Sequence, residues 1–446
     1  MTSVNKHQQE AGAPQLKKQI GLLGAIMMGL GSIVGTGVFV SIGIAAGIAG
    51  PSVILAVMLA AVVAGCNGLS SAQLAANHPV SGGTYEYGYK YLNSWLGFSA
   101  GWLFLLAKSA SAATAALGFS GYVLSALGYS QHNLIPLALA AVAAFTVIVL
   151  SGMSRSNVIN IVIVSITLLA LVLFVVMGLP LVTRIHLTPF VENISGSGTP
   201  LSNLFHATAL MFVAYTGYGR IATLGEEVHD PHRTIPLAMI VTLLITMILY
   251  IAVAFTGVGT VGAGILSGAA HNAGVTQAAP LVAAARLFNL PFAPQVLAIG
   301  AITAMLGVLL NLILGLSRVL LAMGRRHDMP SVFAHLNASK TTPVWSVLMM
   351  GAVIAGLVLI GNVKTTWSFS AFTVLIYYAL TNLSALRLSA KERLYPSWIA
   401  ILGLVACVFL AFWVERETWM IGLALIAAGL VWHGIAQWVQ KSTFVS

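Results

Sequence analysis

Long apolar stretches separated by short polar breaks follow one another from Ile20 to Val439. A helix needs roughly 20 apolar residues to cross the hydrocarbon core of a bilayer. The pattern therefore predicts an all-α membrane protein with twelve transmembrane helices. The predicted spans are 20–48, 52–77, 96–127, 134–153, 157–180, 201–228, 236–263, 295–324, 343–362, 365–387, 395–413 and 418–438. The first and sixth spans each contain an interruption that argues against a single straight helix.

Composition agrees with this interpretation, because 59% of the 446 residues are hydrophobic and only 7% are charged. Soluble domains are about a quarter charged. Residues 1–19 are polar and precede an apolar stretch too long for a signal peptide, so they predict a retained cytoplasmic tail. Cys66 and Cys407, the two cysteines, both lie in apolar stretches, so neither a disulfide framework nor a metal site is predicted. No cofactor is predicted.

The net charge of +10 is distributed as membrane topology requires. Three of the 20 Lys and Arg residues lie inside predicted spans, four lie in the loops of one side, and thirteen lie on the other side together with both termini. Because cytoplasmic loops are enriched in Lys and Arg, both termini are predicted to be cytoplasmic in a multi-pass protein of the cell membrane. The cations form no stripe, so no nucleic-acid partner is expected; the lipid bilayer is the expected surrounding.

Glycine-rich segments interrupt the first and sixth spans. Gly31-Ser32-Ile33-Val34-Gly35-Thr36-Gly37 stands in the first, and Ala214-Tyr215-Thr216-Gly217-Tyr218-Gly219-Arg220 in the sixth. Close helix packing through small residues is one explanation for the first segment. Two interrupted helices that each open a five-helix unit are typical of inverted-repeat transporters. This predicts repeats at 20–180 and 201–388, with two further helices at 395–440.

An unwound turn in the middle of a membrane exposes backbone groups that hydrocarbon cannot satisfy. Free N–H groups at the N-terminus of a half-helix favour a carboxylate, and freed carbonyl groups favour an ammonium. The two breaks together therefore predict a site for a zwitterion such as an amino acid.

Four motifs in order identify a family. They are Gly-Thr-Gly-Val-Phe at 35–39, His-Pro-Val-Ser-Gly-Gly-Thr-Tyr-Glu-Tyr at 78–87, the stretch from Phe212 to Pro236 with Asp-Pro-His-Arg-Thr-Ile-Pro at its end, and Leu-Ser-Arg-Val-Leu at 316–320 followed by Met329-Pro330 and Thr342-Pro343. With them the chain resembles the amino acid–polyamine–organocation (APC) transporters over nearly its whole length.

The resemblance implies a leucine-transporter-type fold and alternating access. It assigns Thr36 and Gly37 to the carboxylate of the substrate, with Gly35 permitting the turn. It assigns carbonyl groups of Ile33, Val213 and Thr216 to the α-amino group. The remaining expected site residues are Gly217 in the second break, Ala112, Asn311 and Leu312 beside the substrate side chain, and Tyr215 and Tyr218 as walls or gates.

The chain also departs from the family pattern. Gln73 and Gly219 stand where some members carry an acid, and 164–167 lacks the lysine of certain proton-coupled members. All ten Asp and Glu residues lie in loops, tails or helix ends, which predicts that no buried carboxylate remains to carry a proton. Proton coupling, sodium coupling and exchange all stay open.

Charged residues inside the predicted spans are costly and usually functional. Lys108, in the middle of the third span, either replaces or carries a coupling cation, or is a hydrogen-bonded structural lysine. Arg220 either favours an extra carboxylate on the substrate or pairs with Glu226 and Glu227 as a gate. His206 is either a proton carrier or simply hydrogen-bonded.

A secondary transporter of small or apolar neutral amino acids, acting as a monomer or homodimer, explains these features best. The alternative within transport is a polyamine or other organocation as substrate. A channel or receptor does not explain the paired breaks, and a membrane enzyme needs a catalytic constellation that the sequence lacks.

Overall fold

The computed structural model describes residues 20–79, 82–129, 131–151, 157–190, 198–222, 228–268, 279–288, 290–337 and 342–443. Within these residues the chain is helical, and extended pairing is limited to one bridge between Ile20 and Val228. The helices are α1 (Leu22–Ile33), α2 (Ile42–Ala49), α3 (Val53–Asn77), α4 (Thr84–Tyr91), α5 (Ser94–Leu127), α6 (Leu134–Leu150), α7 (Asn157–Gly178), α8 (Pro200–Tyr215), α9 (Gly219–Ala222), α10 (Pro231–Leu266), α11 (Pro280–Ala285), α12 (Ala293–Arg325), α13 (Val344–Val358), α14 (Val363–Leu386), α15 (Ser397–Ala411) and α16 (Arg416–Thr443).

The outer surface of the helices is apolar, as a lipid-facing surface must be. On α7, Val162, Ile166, Leu169, Val172 and Val176 are all exposed and follow one another at intervals of three or four residues. Seven stretches of the described chain are long and apolar enough to cross a membrane, and α6, α13 and α15 are shorter apolar helices. The prediction of an all-helical membrane protein is confirmed.

The interior is organised around two long helices. α5 packs against α12 and α14, and α3 packs against α10 and α8. Alanine, glycine and serine recur along α3 and α5, which lets backbones approach closely where lipid gives no hydrophobic drive for association. This arrangement brings α1, α5, α8, α12 and α14 around one central space.

Both predicted interruptions are present. α1 ends at Ile33 because Val34 is extended (φ −78°, ψ 100°), and a π-helical turn at Gly37–Ser41 precedes α2. α8 ends at Tyr215, and a 3₁₀ turn at Thr216–Tyr218 separates it from α9. The sequence did not predict α4, which occupies part of the loop that follows the second span.

Candidate functional site

A cavity of about 740 Å³ lies among α1, α5, α8, α12 and α14, beside both breaks. Sites for small molecules typically measure about 300–1,000 Å³. Ten residues selected from the sequence line this cavity: Ile33, Thr36, Gly37, Lys108, Val213, Thr216, Gly217, Arg220, Asn311 and Leu312. The two breaks therefore share one space that is large enough for a small ligand.

Glycine allows the two breaks to touch. A Cβ atom at Gly217 would overlap the carbonyl oxygen of Ser32 and lie 2.6 Å from the amide nitrogen of Ile33. A Cβ at Gly37 would lie 2.5 Å from the Cβ of Ala214. Neither glycine has a positive φ, so the absence of a side chain matters here and not the freedom of the backbone.

Hydroxyl groups hold the carbonyl groups that the breaks release. Tyr250 donates to the carbonyl of Ile33 at 2.9 Å, and Tyr378 donates to that of Thr216 at 3.1 Å. The Thr216 hydroxyl donates to the carbonyl of Val213 at 2.8 Å. The Val213 carbonyl also accepts from the Thr216 backbone amide. A carbonyl oxygen has two lone pairs, so the Ile33 carbonyl, which accepts from Tyr250, can still accept one bond from a ligand.

Replacing Tyr250 with phenylalanine is expected to loosen the contact between the breaks, because its hydroxyl also lies 3.4 Å from the Ala214 carbonyl oxygen. Removing a buried hydrogen bond of this kind costs about 1–2 kcal/mol. We expect a lower melting temperature in detergent and weaker ligand binding. Tyr129→Phe is the matched control, because Tyr129 is exposed; an equal effect of both variants would contradict this role for Tyr250.

Donors for an anionic group lie on the other side of the first break. Val38 and Phe39 donate the first backbone hydrogen bonds after it, both to the carbonyl of Gly35. The preceding amides therefore stand at a helix N-terminus, where N–H groups lack intrahelical partners. The hydroxyl oxygen of Thr36 is buried without a hydrogen-bond partner among the described residues.

Lys108 reaches the second break from α5. Its side chain is buried, with 8% of the residue exposed, and its Nζ atom lies 2.9 Å from the Thr216 hydroxyl oxygen. The described residues place no carboxylate in an ion pair with it. Lys108 is thus buried and hydrogen-bonded, as in one of the two alternatives from the sequence. It also lines the cavity, so a role in coupling stays a prediction.

Helix geometry decides which expected residues reach the cavity. On α5 the lining residues are Phe104, Lys108 and Ser111, whereas Ala112 is fully buried next to them. The other expected residues outside the lining are Gly35, which packs on Val308, Tyr215, whose hydroxyl donates to Val57, and Tyr218, which packs on the ring of Tyr378. Glu226 and Glu227 lie outside the described residues, so their pairing with Arg220 stays a prediction.

The cavity continues to one end of the helix bundle. Its lining there includes Gly82, Gly83, Glu86, Arg325 and Arg326. The Arg326 guanidinium donates to the Glu86 carboxylate at 2.6 Å, which joins the start of α4 to the end of α12. This ion pair stands at the rim, which we call the mouth of the cavity.

The prediction that no carboxylate is buried is wrong. Asp328, in the loop after α12, is 4% exposed and accepts hydrogen bonds of 2.7 Å each from the hydroxyls of Tyr85 and Tyr89. His433 of α16 lies 3.3 Å from the same carboxylate. Burial and the charge of Asp328 raise the pKa of Tyr85 far above its usual value, so this hydroxyl stays a donor. A loop position did not mean exposure, because α4 and α16 cover the loop.

A second charged cluster stands at the opposite end of the bundle. Glu415 accepts contacts from Lys364 at 3.0 Å and from His206 at 3.4 Å. Burial acts to raise the pKa of Glu415, but His206 and Lys364 outweigh it and hold that pKa well below its usual range. His206 thus has an acidic partner that its sequence context did not indicate.

Sequence comparison with known proteins identifies the family of the chain. The family model described as amino acid permease matches residues 24–443. The chain belongs to the amino acid permease family. The match confirms the resemblance to APC transporters over residues 24–443. Membership of the family also means that this permease is a membrane transport protein.

Individual relatives match along most of their length. An uncharacterized transporter of Mycobacterium tuberculosis is 37% identical over 431 residues, covering 96% of this chain and 93% of the relative. The branched-chain amino acid permease of Bacillus subtilis is 27% identical, with 95% and 92% covered. The methylthioribose transporter of the same organism is 26% identical, with 94% and 93% covered.

Proposed function

We propose that this permease is a secondary active transporter that moves small or apolar neutral amino acids across the cell membrane by alternating access. The observation that carries the proposal is the shared cavity, which is lined by Thr36 and Gly37 at the start of a helix and by Ile33, Val213 and Thr216, whose carbonyl groups border the breaks. Amides suit a carboxylate and carbonyls suit an ammonium, so a zwitterion satisfies both sets of groups.

The proposed architecture is twelve spans in a leucine-transporter-type 5+5 inverted repeat. The first repeat covers 20–180, the second covers 201–388, and the helices at 395–440 are additional. The position of the breaks supports this division, because each interrupts the first helix of its half. The rest of the repeat relation stays a proposal.

The proposed orientation, with both termini cytoplasmic, gives the cavity a direction. Glu86, Arg325 and Arg326 of the mouth belong to the side that is rich in Lys and Arg. On this basis the cavity opens to the cytoplasm, and the breaks are closed from the outside. An inward-open state is one of the states that alternating access requires.

The walls favour an apolar side chain on the substrate. Val213, Val308 and Leu312 line the cavity, with Asn311 as a polar neighbour. The name of the branched-chain amino acid permease among the relatives points to the same class of substrate. Polyamines and other organocations remain the alternative; a strongly cationic substrate needs acidic partners, and Glu86 is the one carboxylate among the described lining residues.

The test is a thermal-shift screen of the purified protein against all proteinogenic amino acids and common polyamines, followed by flux of each hit into proteoliposomes. We expect neutral amino acids to raise the melting temperature and to be taken up. Flux with a proton gradient, a sodium gradient or internal amino acid identifies the coupling, including any part played by Lys108. If no amino compound stabilises the protein, the proposed function is wrong.

A further inference from the structure

We propose that Lys108 is a specificity-determining residue: its ammonium binds a carboxylate of the substrate, so that the permease accepts amino acids whose net charge is zero or negative and rejects amines and cationic amino acids. The proposal rests on the proposed function and names the substrate class for it. It comes from the position of one cation at the junction of the cavity and the second break.

The hydrogen bonds around Thr216 fix the role of the lysine. The single hydroxyl proton of Thr216 is donated to the Val213 carbonyl at 2.8 Å, so Thr216 acts as an acceptor toward Lys108. Lys108 is therefore the donor in the 2.9 Å contact. An ammonium has three donors, and within the described part of the chain only Thr216 receives one of them. Two donors remain for a ligand in the cavity that Lys108 lines.

The charge of this group is not balanced by the protein around it. Burying an unpaired cation is costly, and a cation inside a membrane protein normally faces a partner, an aqueous cavity or a ligand. The one carboxylate among the described lining residues, Glu86, already receives the Arg326 guanidinium at 2.6 Å. A carboxylate on the substrate supplies the missing counter-charge when it binds.

The part of the cavity that leads to Lys108 is also lined by positive charges. Arg318 lines the cavity between the second break and the mouth, and Arg325 lines the mouth itself. Arg318 is exposed, and the described residues give it no ion pair. A narrow space lined by one sign of charge concentrates ligands of the opposite sign and repels ligands of its own. The route and the end point therefore select against a net positive charge.

Matched ligands test the selectivity in the wild-type protein. Leucine and leucinamide differ in that the amide lacks a carboxylate; glutamine and glutamate differ by one more carboxylate; putrescine has none. We expect binding of leucine and glutamine by thermal shift and by competition for uptake, and at least about 30-fold weaker binding of leucinamide and putrescine. Glutamate, whose second carboxylate makes its net charge negative, should bind no more weakly than glutamine, and much weaker glutamate binding would contradict the selection by charge.

Substitution tests the residue itself. Lys108→Met keeps the length of the side chain, and Thr216 keeps its bond to Val213. We expect Lys108→Met to lose the preference for leucine over leucinamide, with at least about 30-fold weaker leucine binding. Lys108→Arg keeps the positive charge, and we expect it to retain the preference for leucine over leucinamide. This variant tests the role of the charge even if the methionine variant does not fold. Lys391→Met, at an exposed lysine, is the control.

Two results separate this inference from the proposed function. If wild-type protein binds leucinamide or putrescine as tightly as leucine, or if Lys108→Met keeps the preference, the charge selection is wrong while transport of amino compounds stands. If neither amino acids nor amines bind at all, the proposed function fails first.

Discussion

Gly217→Ala is expected to abolish ligand binding in the central cavity and to lower the melting temperature strongly. The added methyl group would overlap the Ser32 carbonyl oxygen and lie 2.6 Å from the Ile33 nitrogen, both of which are backbone atoms of the first break. Backbone cannot rotate away as a flexible side chain can. Overpacking of a tight interior costs about 1–3 kcal/mol or more, and every 1.4 kcal/mol placed on the site is about tenfold in affinity.

Gly315→Ala is the matched control. Gly315 also lines the cavity and lies within α12, but nothing stands within 4 Å of the position of its Cβ. In a helix the change to alanine is favourable by about 1 kcal/mol. We expect this variant to match the wild type in thermal stability or exceed it, with uptake in proteoliposomes close to normal. Equal behaviour of the two alanine variants would mean that contact between the breaks does not hold the site together.

The location of the breaks could be predicted from the sequence, whereas their main physical reason could not. Glycine inside an apolar helix marks a weak point, and both marked segments are interrupted. Gly35 was assigned to permit a turn. The structure instead uses Gly37 and Gly217 for close approach between two segments that are far apart in sequence. A single sequence does not reveal which residues meet over such a distance.

Helical phase explains the errors of detail around the cavity. On α5 the lining residues Phe104, Lys108 and Ser111 span about 60° of the helix circumference, and Ala112 lies about 40° beyond Lys108, where it is fully buried. On the second break Val213, Thr216, Gly217 and Arg220 line the cavity. Tyr215 and Tyr218, three residues apart, share a different side, where both are buried in the protein. Neighbouring residues on these segments therefore differ: one lines the cavity, and the next is buried in the protein behind it.

The supporting hydroxyls were beyond sequence reasoning for another reason. Tyr250 and Tyr378 lie in spans for which the sequence predicts no interruption, and a tyrosine in an apolar helix gives no sign of its partner. Asp328 is similar, because its burial depends on α4 and α16. A signal for it was present in the motifs: Tyr85, one of its two hydroxyl partners, stands in the 78–87 motif, and Asp328 directly precedes Met329-Pro330.

Asp328→Asn is expected to destabilise the mouth of the cavity more than any other change of a single charge in the described loops. The carboxylate accepts from two tyrosine hydroxyls and contacts His433, and the indole of Trp432 donates to its backbone carbonyl at 2.9 Å. Each hydrogen bond to a charged acceptor contributes about 1.5–3 kcal/mol. An asparagine amide retains one acceptor oxygen and turns an NH₂ donor toward groups that are donors themselves.

We expect a loss of about 3 kcal/mol, seen as a lower melting temperature in detergent, and faster hydrogen exchange of the α4 amides. Glu417→Gln is the control, since Glu417 is exposed at the start of α16 and contributes only about 0.3–1 kcal/mol through the helix dipole. A double-mutant cycle with Tyr85→Phe isolates the hydroxyl–carboxylate contact. Strict additivity of the two changes would contradict the coupling.

The expected functional effect follows from what else α4 carries. Glu86, between the two tyrosines, pairs with Arg326, and the Arg326 guanidinium lies 4.1 Å from the centre of the Tyr89 ring. Asp328 thus holds the helix that presents one half of the ion pair at the mouth. Without its hydrogen bonds to Asp328, α4 would no longer hold the Glu86 carboxylate in place beside Arg326. Uptake should then fall while ligand binding in the central cavity, beside Lys108 and Gly217, is retained, which distinguishes a defect of the mouth from a defect of the site.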